Sequence, residues 1–453
     1  MKSIRIGAGA GFSDDRIDPA ADLVRDGDLD YVVFECLAER SIALAQLERQ
    51  EDPEAGYNEW LEDRFRAVLP AAAARGTRII TNMGAANPVA AARIVEALAV
   101  QLGLPDLVIV AVTGDDVLES LGTAARDNAG ALASVVPSGA TVISANVYLG
   151  IDPLLDALRL GADVIITGRV ADPSLFLAPL VHEFGWDLDD WRMLGTGTAV
   201  GHLLECAGQV TGGYFADPGV KDVPNLGRLG FPLAEVSASG DFVVTKLAGT
   251  GGVVSVSTVT EQLLYEVHDP HAYLTPDVTA DFSDARLDQV GADRVAVSGI
   301  RGRTRPETLK ASVGYIDSWV GEGEISYAGP NAVARGRLAL EVVRQRLELL
   351  GVATLDARFE LIGVDAVRRG TGGNPSCDPT EVRVRVAART ADAASARRLG
   401  HEVTALWLNG PAGGGGARRS VRRDVGIASV TVARDVVETR LHVLTGDARD
   451  QAA

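Results

Sequence analysis

The stretch TVISANVYLGIDPLLDALRLGADVIITGRVADP, residues 141–173, indicates the fold of the first part of the chain. Its two β-branched runs, TVISAN and DVIIT, are typical of strands buried on both faces. Between them, LLDALRLG has apolar residues at the helical spacing of three and four. A strand, a helix and a second strand in this order predict parallel strands joined by a right-handed crossover.

The same alternation extends over roughly the first 200 residues, with further predicted strands at SIRIG, YVVFE, TRIIT and LVIVAV. We therefore predict an α/β fold: a mostly parallel, doubly wound sheet covered by helices, in a domain over residues 1–290. Within it, residues 212–284 are rich in loops and predict excursions and added strands that cover the domain.

The pattern changes after Arg294, where VAVSGI, LKASVGYID, FELIGVDA, EVRVRVAA and GIASVTVA alternate more clearly. Two helical segments lie among them, NAVARGRLALEVVRQRLELLG and DAASARRLGHEVTALWLNG. This order predicts a smaller α+β domain over residues 291–446. Residues 447–453 are expected to form a disordered tail.

The composition limits the partners and the compartment. A formal net charge of −18 argues against nucleic acid or an anionic membrane as the main partner, since both need a positive surface. The three cysteines lie far apart, form no zinc-type pair and indicate a reducing cytoplasm. The sequence shows no signal peptide and no apolar window long enough for a bilayer, so we expect a cytoplasmic protein without a bound metal. Its many glycine-rich loops and apolar stretches favour a homo-oligomer.

A polar loop followed by Asp-Pro or Asn-Pro occurs four times, at Asp18, Asn87, Asp152 and Asp172. The acidic or amide side chain is predicted to cap a helix, with proline at the first helical position. These landmarks place the loops GAGAGFSDDRI, NMGAA, NVYLGI and TGRVA at the carboxyl ends of strands. Open α/β sheets bind their ligands at that edge.

The opening loop contains three glycines, among them Gly9 and Gly11, followed by Asp14 and Asp15. A dinucleotide fingerprint needs a glycine where this chain has Phe12. The aspartates would also repel a pyrophosphate, by roughly 3 kcal/mol for two unit charges about 5 Å apart at an effective dielectric near 20. Two interpretations remain: a tight turn capped by Asp14, or aspartates that face a hydroxyl, a proton or a cation.

The segment GTGTAVGHLLECAGQVTGG predicts a helix that starts near Thr198. His202, Glu205 and Cys206 then share one face. Histidine with a carboxylate suits general acid–base chemistry, and the thiol is a candidate nucleophile. The alternative is a packed helix face without a catalytic role.

Four further polar residues follow predicted strands. Arg169 suits a clamp for a carboxylate or phosphate, or a salt bridge to a surface carboxylate. Asn82 and Asn146 are placed to donate to a carbonyl oxygen, or to satisfy loop backbone. Glu35, with Glu39 one turn later, is a candidate base, or a charge at a helix start.

Three more glycine-rich stretches, KLAGTGG, RRGTGGNPS and GPAGGGGARRS, allow close approach to the backbone. The first contains Gly251 and Gly252. The last introduces Arg418 and Arg419 into an acidic chain, which suits a phosphate-bearing carrier such as coenzyme A. A flexible interdomain or subunit loop is the equal alternative.

The chain resembles the acyclic terpene utilisation (AtuA-like) family. The resemblance is carried by GAGAGFSDDR, LDYVVFECLAER, ITNMGAANP, GADVIITGRVADPSL, GHLLECAGQVTGG, VTKLAGTGGVVSVSTVTEQLLYEVHDP, YLTPDV and GPAGGGGARRSVR. Many members are longer, with a ferredoxin-like module at the C-terminus that has no obvious copy here. The resemblance therefore implies that a small ferredoxin-like partner chain supplies any role of that module. It also implies catabolism of acyclic terpenoids and branched acids as coenzyme A esters.

These observations lead to the hypothesis of a lyase or hydratase of acyl-CoA or carboxylic acid metabolism, acting next to a carbonyl. The candidate catalytic residues are Asp14, Asp15, Glu35, His202, Glu205 and Cys206. The candidate contacts to a small anionic substrate are Gly9, Gly11, Asn82, Asn146, Arg169, Asp172, Gly251, Gly252, Arg418 and Arg419. No cofactor is assigned, and a coenzyme A ester is a candidate substrate. The alternatives are a non-catalytic subunit that needs a partner chain and an oxidoreductase dependent on a nucleotide cofactor.

Overall fold

The structure, a computed structural model, describes residues 2–121, 132, 134–367 and 379–444. They form two compact units. One contains the described residues of Met1–Leu132, Ile143–Val313 and Ile427–Ala453, and the other those of Ala133–Val142 and Gly314–Gly426. The first unit is thus assembled from separate lengths of chain. The domain boundary at residues 290–291 stays a prediction.

The described secondary structure alternates strands and helices at first and later adds hairpins. The strands are β1 Ser3–Ala10, β2 Tyr31–Phe34, β3 Arg78–Thr81, β4 Ile109–Thr113, β5 Thr141–Val147, β6 Val164–Thr167, β7 Pro232–Ser237, β8 Phe242–Lys246, β9 Tyr273–Leu274, β10 Thr279–Asp281, β11 Arg286–Gly291, β12 Arg294–Ser298, β13 Arg301–Arg303, β14 Thr308–Ala328, β15 Asp356–Ile362, β16 Glu381–Thr390, β17 Gly415–Ala433 and β18 Arg440–Leu444. The helices are α1 Asp18–Asp26, α2 Glu39–Glu51, α3 Leu61–Arg75, α4 Pro88–Gln101, α5 Asp152–Arg159, α6 Ser174–Phe184, α7 Trp191–Leu204, α8 Val256–Leu264, α9 Ala332–Leu349 and α10 Ala393–Asn409.

The first unit contains, among its described residues, a ten-stranded sheet in the order β11-β12-β8-β7-β1-β2-β3-β6-β4-β18. The central strands β1, β2, β3, β6 and β4 pair in parallel, and their apolar residues are buried, as the β-branched runs predicted. The strands that extend the sheet on both sides pair antiparallel. The mixed α/β class is confirmed, whereas the mostly parallel, doubly wound sheet is not. The difference arises because the β7–β8 hairpin of the loop-rich region and the following β11–β12 hairpin extend the sheet beyond β1, and β18 pairs with β4. The predicted strand TVISAN, β5, pairs with β14 and is not a member of this sheet.

The four Asp-Pro and Asn-Pro landmarks differ in how they start helices. The Asn87 side chain accepts a hydrogen bond from the Ala90 backbone N–H at 3.3 Å, as a cap does. Helices α1 and α5 begin at Asp18 and Asp152 themselves, and neither start has a side-chain cap. Helix α6 begins at Ser174, and Asp172 instead accepts a hydrogen bond from Arg169. The capping prediction is therefore confirmed at Asn87 alone of these four.

The second unit has the chain order β14-α9-β15-β16-α10-β17 and the sheet order β15-β16-β14-β17. This is the ferredoxin-like βαββαβ arrangement. Alternate residues of β16, Val382, Val384 and Val386, are buried in one cluster with Leu340 and Leu399 of the helices. The other predicted strands and both helices are in place, but VAVSGI, which was predicted among them, forms β12 in the sheet of the first unit. The ferredoxin-like topology itself was not predicted from the sequence.

Three sequence features lie wholly or mostly outside the described residues: Cys377, the stretch RRGTGGNPS and the tail at 447–453. Within the part of the chain that the structure describes, no helix combines the length and the apolar character needed to cross a bilayer.

Candidate functional site

The opening glycines pack against protein. Strand β1 includes Gly9, where an added Cβ would lie 2.5 Å from a ring atom of Phe34. At Gly11 it would lie 2.4 Å from the carbonyl carbon of Cys206. Since contacts this short are not tolerated, the glycines allow the strand and the following turn to approach these neighbours.

The two aspartates after these glycines differ in role. Asp15 accepts hydrogen bonds from the backbone N–H groups of Gly11, at 2.9 Å, and Arg16, at 2.8 Å. It therefore stabilises the turn, a task that the sequence analysis gave to Asp14. Burial raises the pKa of Asp15. Asp14 is exposed and accepts a hydrogen bond from Trp60 Nε1 at 3.0 Å.

The first unit contains a pocket of about 300 Å³ where the segment following β6, the end of α7 and two later loops meet. Its ionisable and aromatic lining residues are Glu39, Tyr148, Asp172, Glu205, Glu266, Tyr273 and Lys310. Its apolar walls include Ala171, Pro173, Leu274, Pro276, Pro306 and Leu309. The pocket thus combines carboxyl groups with a surface suited to an apolar chain.

The end of helix α7 places Glu205 at this pocket, with His202 buried beside it. The helix begins at Trp191, where the Asp190 side chain caps it, and not near Thr198 as predicted. Nε2 of His202 lies 3.2 Å from the carbonyl oxygen of Leu263. A carbonyl oxygen only accepts hydrogen bonds, so Nε2 carries a proton.

The other ring nitrogen, Nδ1, lies 3.1 Å from Oε1 of Glu205. Burial lowers the pKa of His202 to about 4, so the ring is neutral near pH 7 and Nδ1 has no proton. The hydrogen bond between the two side chains therefore uses a proton on Glu205. The pair consists of a neutral imidazole and a carboxylic acid.

The surroundings of Glu205 favour the same protonation state. Burial, then the negative charges of Asp172 and Glu266, raise the pKa of Glu205 well above its usual value. Its second oxygen, Oε2, is buried and has no hydrogen-bond partner among the described residues. Because Glu205 lines the pocket, this side chain is suited to exchange a proton with a ligand.

Arg169 is 1% exposed and holds the adjacent loops together. Its guanidinium donates to the carbonyl oxygens of Val170 and Leu37 and to Oδ1 of Asp172. It also lies against the ring of Tyr148, 4.3 Å from the ring centroid. Arg169 thus binds protein groups in this structure, and its role as a ligand clamp stays a prediction.

Glu39 forms a second charged group in the pocket. Its Oε1 accepts hydrogen bonds from the Tyr148 hydroxyl at 2.5 Å and from Lys310 Nζ at 3.1 Å. Burial opposes ionisation, but these hydrogen bonds and one from the backbone outweigh it and lower the pKa of Glu39 to about 2. The pocket therefore holds an ionised carboxylate as well as the carboxylic acid of Glu205.

Comparison with known proteins identifies the family. The family model for acyclic terpene utilisation family protein AtuA matches residues 4–443, nearly the whole chain. The chain belongs to the acyclic terpene utilisation family. No curated protein and no solved structure matches it. In this AtuA-family chain, the stretches GADVIITGRVADPSL, GHLLECAGQVTGG and YLTPDV each contribute lining residues to the pocket.

Other predicted residues of the AtuA-family chain lie elsewhere. Glu35 is buried, and its Oε1 accepts from Leu37 N–H at 2.8 Å and Asn82 Nδ2 at 2.9 Å. Burial, then the charge of Asp172, raise the pKa of Glu35 well above its usual value. Asn146 donates to Asp115 at 2.8 Å. Both asparagines therefore bind protein groups and do not line the pocket beside Glu205.

Asp14, Cys36 and Asn82 line a second pocket of about 320 Å³ in the first unit. Of the sequence candidates, Glu205 and Asp172 thus line the first pocket, where His202 contacts Glu205 and Arg169 contacts Asp172. Across residues 2–121, 134–367 and 379–444, no group of three or more His, Cys, Asp or Glu side chains is arranged to hold a metal ion.

The remaining candidates in the AtuA-family chain have structural roles or lie on the other unit. Burial raises the pKa of the Cys206 thiol, so it is not ionised near pH 7. A Cβ at Gly251 would lie 2.0 Å from the Asn225 carbonyl oxygen, and Gly252 has a φ of +90°. Arg418 and Arg419 are exposed on β17 within the second unit.

Sequence reasoning missed Tyr148, Glu266, Tyr273 and Lys310 as site residues. Tyr148 lies in NVYLGI, which was predicted to be a loop at the ligand-binding edge, so a signal for it existed. Lys310 lies near the start of β14. The alternation there predicts a strand but does not show which pocket its side chains line.

Proposed function

We propose that the protein is an enzyme of acyl-CoA or carboxylic acid catabolism, a lyase or hydratase that adds or removes water next to a carbonyl. The observation that supports this most directly is Glu205, a buried side chain that lines a pocket with apolar walls and whose Oε2 has no hydrogen-bond partner among the described residues. Membership of a family named for acyclic terpene utilisation supports a catabolic role. The apolar walls are compatible with a branched hydrocarbon chain.

The proposed reaction uses Asp172 as the base and Glu205 as the acid. Asp172 takes the proton from the carbon next to the carbonyl, and the electron pair of that C–H bond forms the carbon–carbon double bond. The carboxyl proton of Glu205 then leaves its hydrogen bond to His202 Nδ1 and is donated to the departing β-hydroxyl oxygen, whose bond to carbon breaks as it leaves as water. Hydration follows the same steps in reverse.

The contacts of each group fit its proposed role. Arg169 donates to Asp172, which favours the ionised form that a base needs. Burial raises the pKa of Asp172, and a base with a raised pKa binds a proton more strongly. His202 orients Glu205 through Nδ1 and acts as a positioning residue.

The test measures hydration of 3-methylbut-2-enoyl-CoA, followed by loss of the absorbance of its conjugated double bond. Glu205→Gln keeps a donor for His202 Nδ1 but has no exchangeable carboxyl proton, so kcat should fall by about 10²–10⁴-fold. The matched control is Glu62→Gln, which changes an exposed glutamate paired with Arg66.

Unchanged turnover in a folded Glu205→Gln variant would remove Glu205 from the mechanism. Absence of both hydration and deuterium exchange next to the carbonyl in the wild-type protein would contradict the proposal. That result would favour the alternative of a subunit that needs a partner chain.

A further inference from the structure

The charge balance of the pocket bears on the form of substrate it accepts. Four carboxyl groups line it, those of Glu39, Asp172, Glu205 and Glu266. Of the described lining residues, Lys310 is the cationic one. Even with Glu205 protonated and Asp172 paired with Arg169, a free carboxylate entering the pocket would meet Glu266 and a lysine that is already paired with Glu39.

The charge of Lys310 is already matched. Its Nζ lies 3.1 Å from Oε1 of Glu39 and 4.7 Å from the centroid of the Tyr148 ring. The Tyr148 hydroxyl donates to the same oxygen of Glu39 and holds this carboxylate in place. Lys310 can pair with a ligand carboxylate only by giving up or sharing this contact.

The nearby guanidinium is committed in the same way. Arg169 is buried, and its three nitrogens donate to Val170, Leu37 and Asp172. It is therefore not free to neutralise a second anion. The apolar walls, with Leu309 buried and Leu274 exposed, offer contact to a hydrocarbon chain without any charge.

We propose that this pocket selects an uncharged branched chain, such as the ester, thioester or amide of a branched carboxylic acid. It rejects the free carboxylate because the cation that could bind it, Lys310, already forms an ion pair with Glu39. This inference depends on the proposed function only in taking the pocket as the substrate site. The inference also restricts the anionic substrate that the sequence predicted. Any anionic group of a coenzyme A ester would lie outside this pocket, and the acyl part inside the pocket is uncharged. Glu39 is then a specificity-determining residue.

Binding of two ligands of matched shape tests this selectivity. The probes are 3,7-dimethylocta-2,6-dienoate and its primary amide, titrated by calorimetry at neutral pH. The wild-type protein should bind the amide about tenfold more tightly, since one uncompensated charge a few ångströms away changes affinity by roughly this factor. Equal or tighter binding of the carboxylate, or binding of neither probe, would overturn the inference.

Two variants test the role of Glu39. Glu39→Gln removes the negative charge that pairs with Lys310. The ratio of the affinities for the carboxylate and the amide should therefore shift about tenfold toward the carboxylate. In the double variant Glu39→Gln with Lys310→Met this gain should disappear, because the freed cation is gone. An unchanged ratio in Glu39→Gln would refute the role of Glu39.

Two further points keep the test decisive. If Glu39→Gln does not fold, Lys310→Met alone should increase the preference for the amide, and a decrease would contradict the inference. The readout is binding and not turnover. Retained selectivity without hydration or deuterium exchange would therefore refute the proposed function alone, and hydration without selectivity would refute this inference alone.

Discussion

His202 and Glu205 share one proton, and the burial of the ring together with its hydrogen bond to Leu263 places that proton on Glu205. Burial keeps the ring neutral, and Nε2 donates to the carbonyl oxygen of Leu263, so Nδ1 is left as an acceptor 3.1 Å from Glu205 Oε1. The proton between the two side chains therefore belongs to the carboxyl group. Burial of both groups, together with the hydrogen bond from His202 to a backbone oxygen, thus favours the protonated form of a side chain that lines the pocket.

The pH dependence of stability reports this protonation state directly. The pKa of Glu205 is raised in the fold above its ordinary 4.5, so its contribution to stability is complete below about pH 4.5 and is lost as pH rises toward the folded pKa. Glu205→Gln has no such loss. It should therefore gain stability relative to wild type as pH rises above 4.5, by up to about 1.4 kcal/mol per pH unit.

The measurement is urea denaturation of both proteins between about pH 4.5 and 7.5. His202 acts in the opposite direction: its folded pKa of about 4 lies below the ordinary 6.5, so its contribution falls as pH drops through that range. To first order this effect is common to both proteins and cancels in the difference. A relative loss of stability in Glu205→Gln with rising pH would mean that Glu205 is ionised in the fold.

The contact between Gly11 and Cys206 predicts a steric effect. Gly11→Ala should lower the free energy of unfolding by about 1–3 kcal/mol, because the new Cβ would overlap the Cys206 backbone. Gly227→Ala is the matched control, since nothing lies within 4 Å of its Cβ position. Thermal or urea unfolding of both variants checks this expectation, and equal stabilities would show that the turn adjusts without cost.

The hydrogen bond from Tyr148 to Glu39 predicts a graded loss. Tyr148→Phe removes the hydroxyl donor and should cost about 1 kcal/mol of unfolding free energy, since the acceptor is charged but half-exposed. Tyr148→Leu should cost more, because it also removes the ring against which Arg169 and Lys310 lie. Equal losses in the two variants, measured by urea unfolding, would mean that the ring contacts contribute nothing.

Ligand stabilisation separates the reaction classes. If the protein acts on acyl-CoA, a branched acyl-CoA at about a hundred times its dissociation constant should stabilise the fold by roughly 2.7 kcal/mol. Thermal shift with coenzyme A, acyl-CoA esters, NAD, ATP and divalent metals gives the comparison. A shift with NAD alone would favour the oxidoreductase alternative.

The fold was predictable where the evidence is local. β-Branched runs such as YVVF and VIIT show strands buried on both faces, and β2 and β6 form at these positions. The antiparallel flanks were not predictable, because the pairing of β7 with β1 and of β18 with β4 joins residues far apart in sequence. No local pattern distinguishes a hairpin that extends a sheet from one that covers it.

The site was predictable to a similar extent. His202 and Glu205 were recognisable from helical spacing, whereas Asp172 was predicted as a helix cap and a substrate contact and not as a base. The opening glycines were ambiguous, because a glycine that lets backbone approach a ligand looks the same in sequence as one that approaches Phe34 or Cys206. Glu39, Tyr148 and Lys310 meet only through tertiary structure, which sequence spacing does not report.

The pairing of β18 with β4 has a consequence for biosynthesis. Strand β4 ends at Thr113, whereas its partner begins at Arg440 and is among the last parts of the described chain to leave the ribosome. Until then, the nascent first unit exposes the backbone of β4 along an open edge. An unpaired strand edge is a template for pairing with another chain, and closing this one requires the last strand of the described chain.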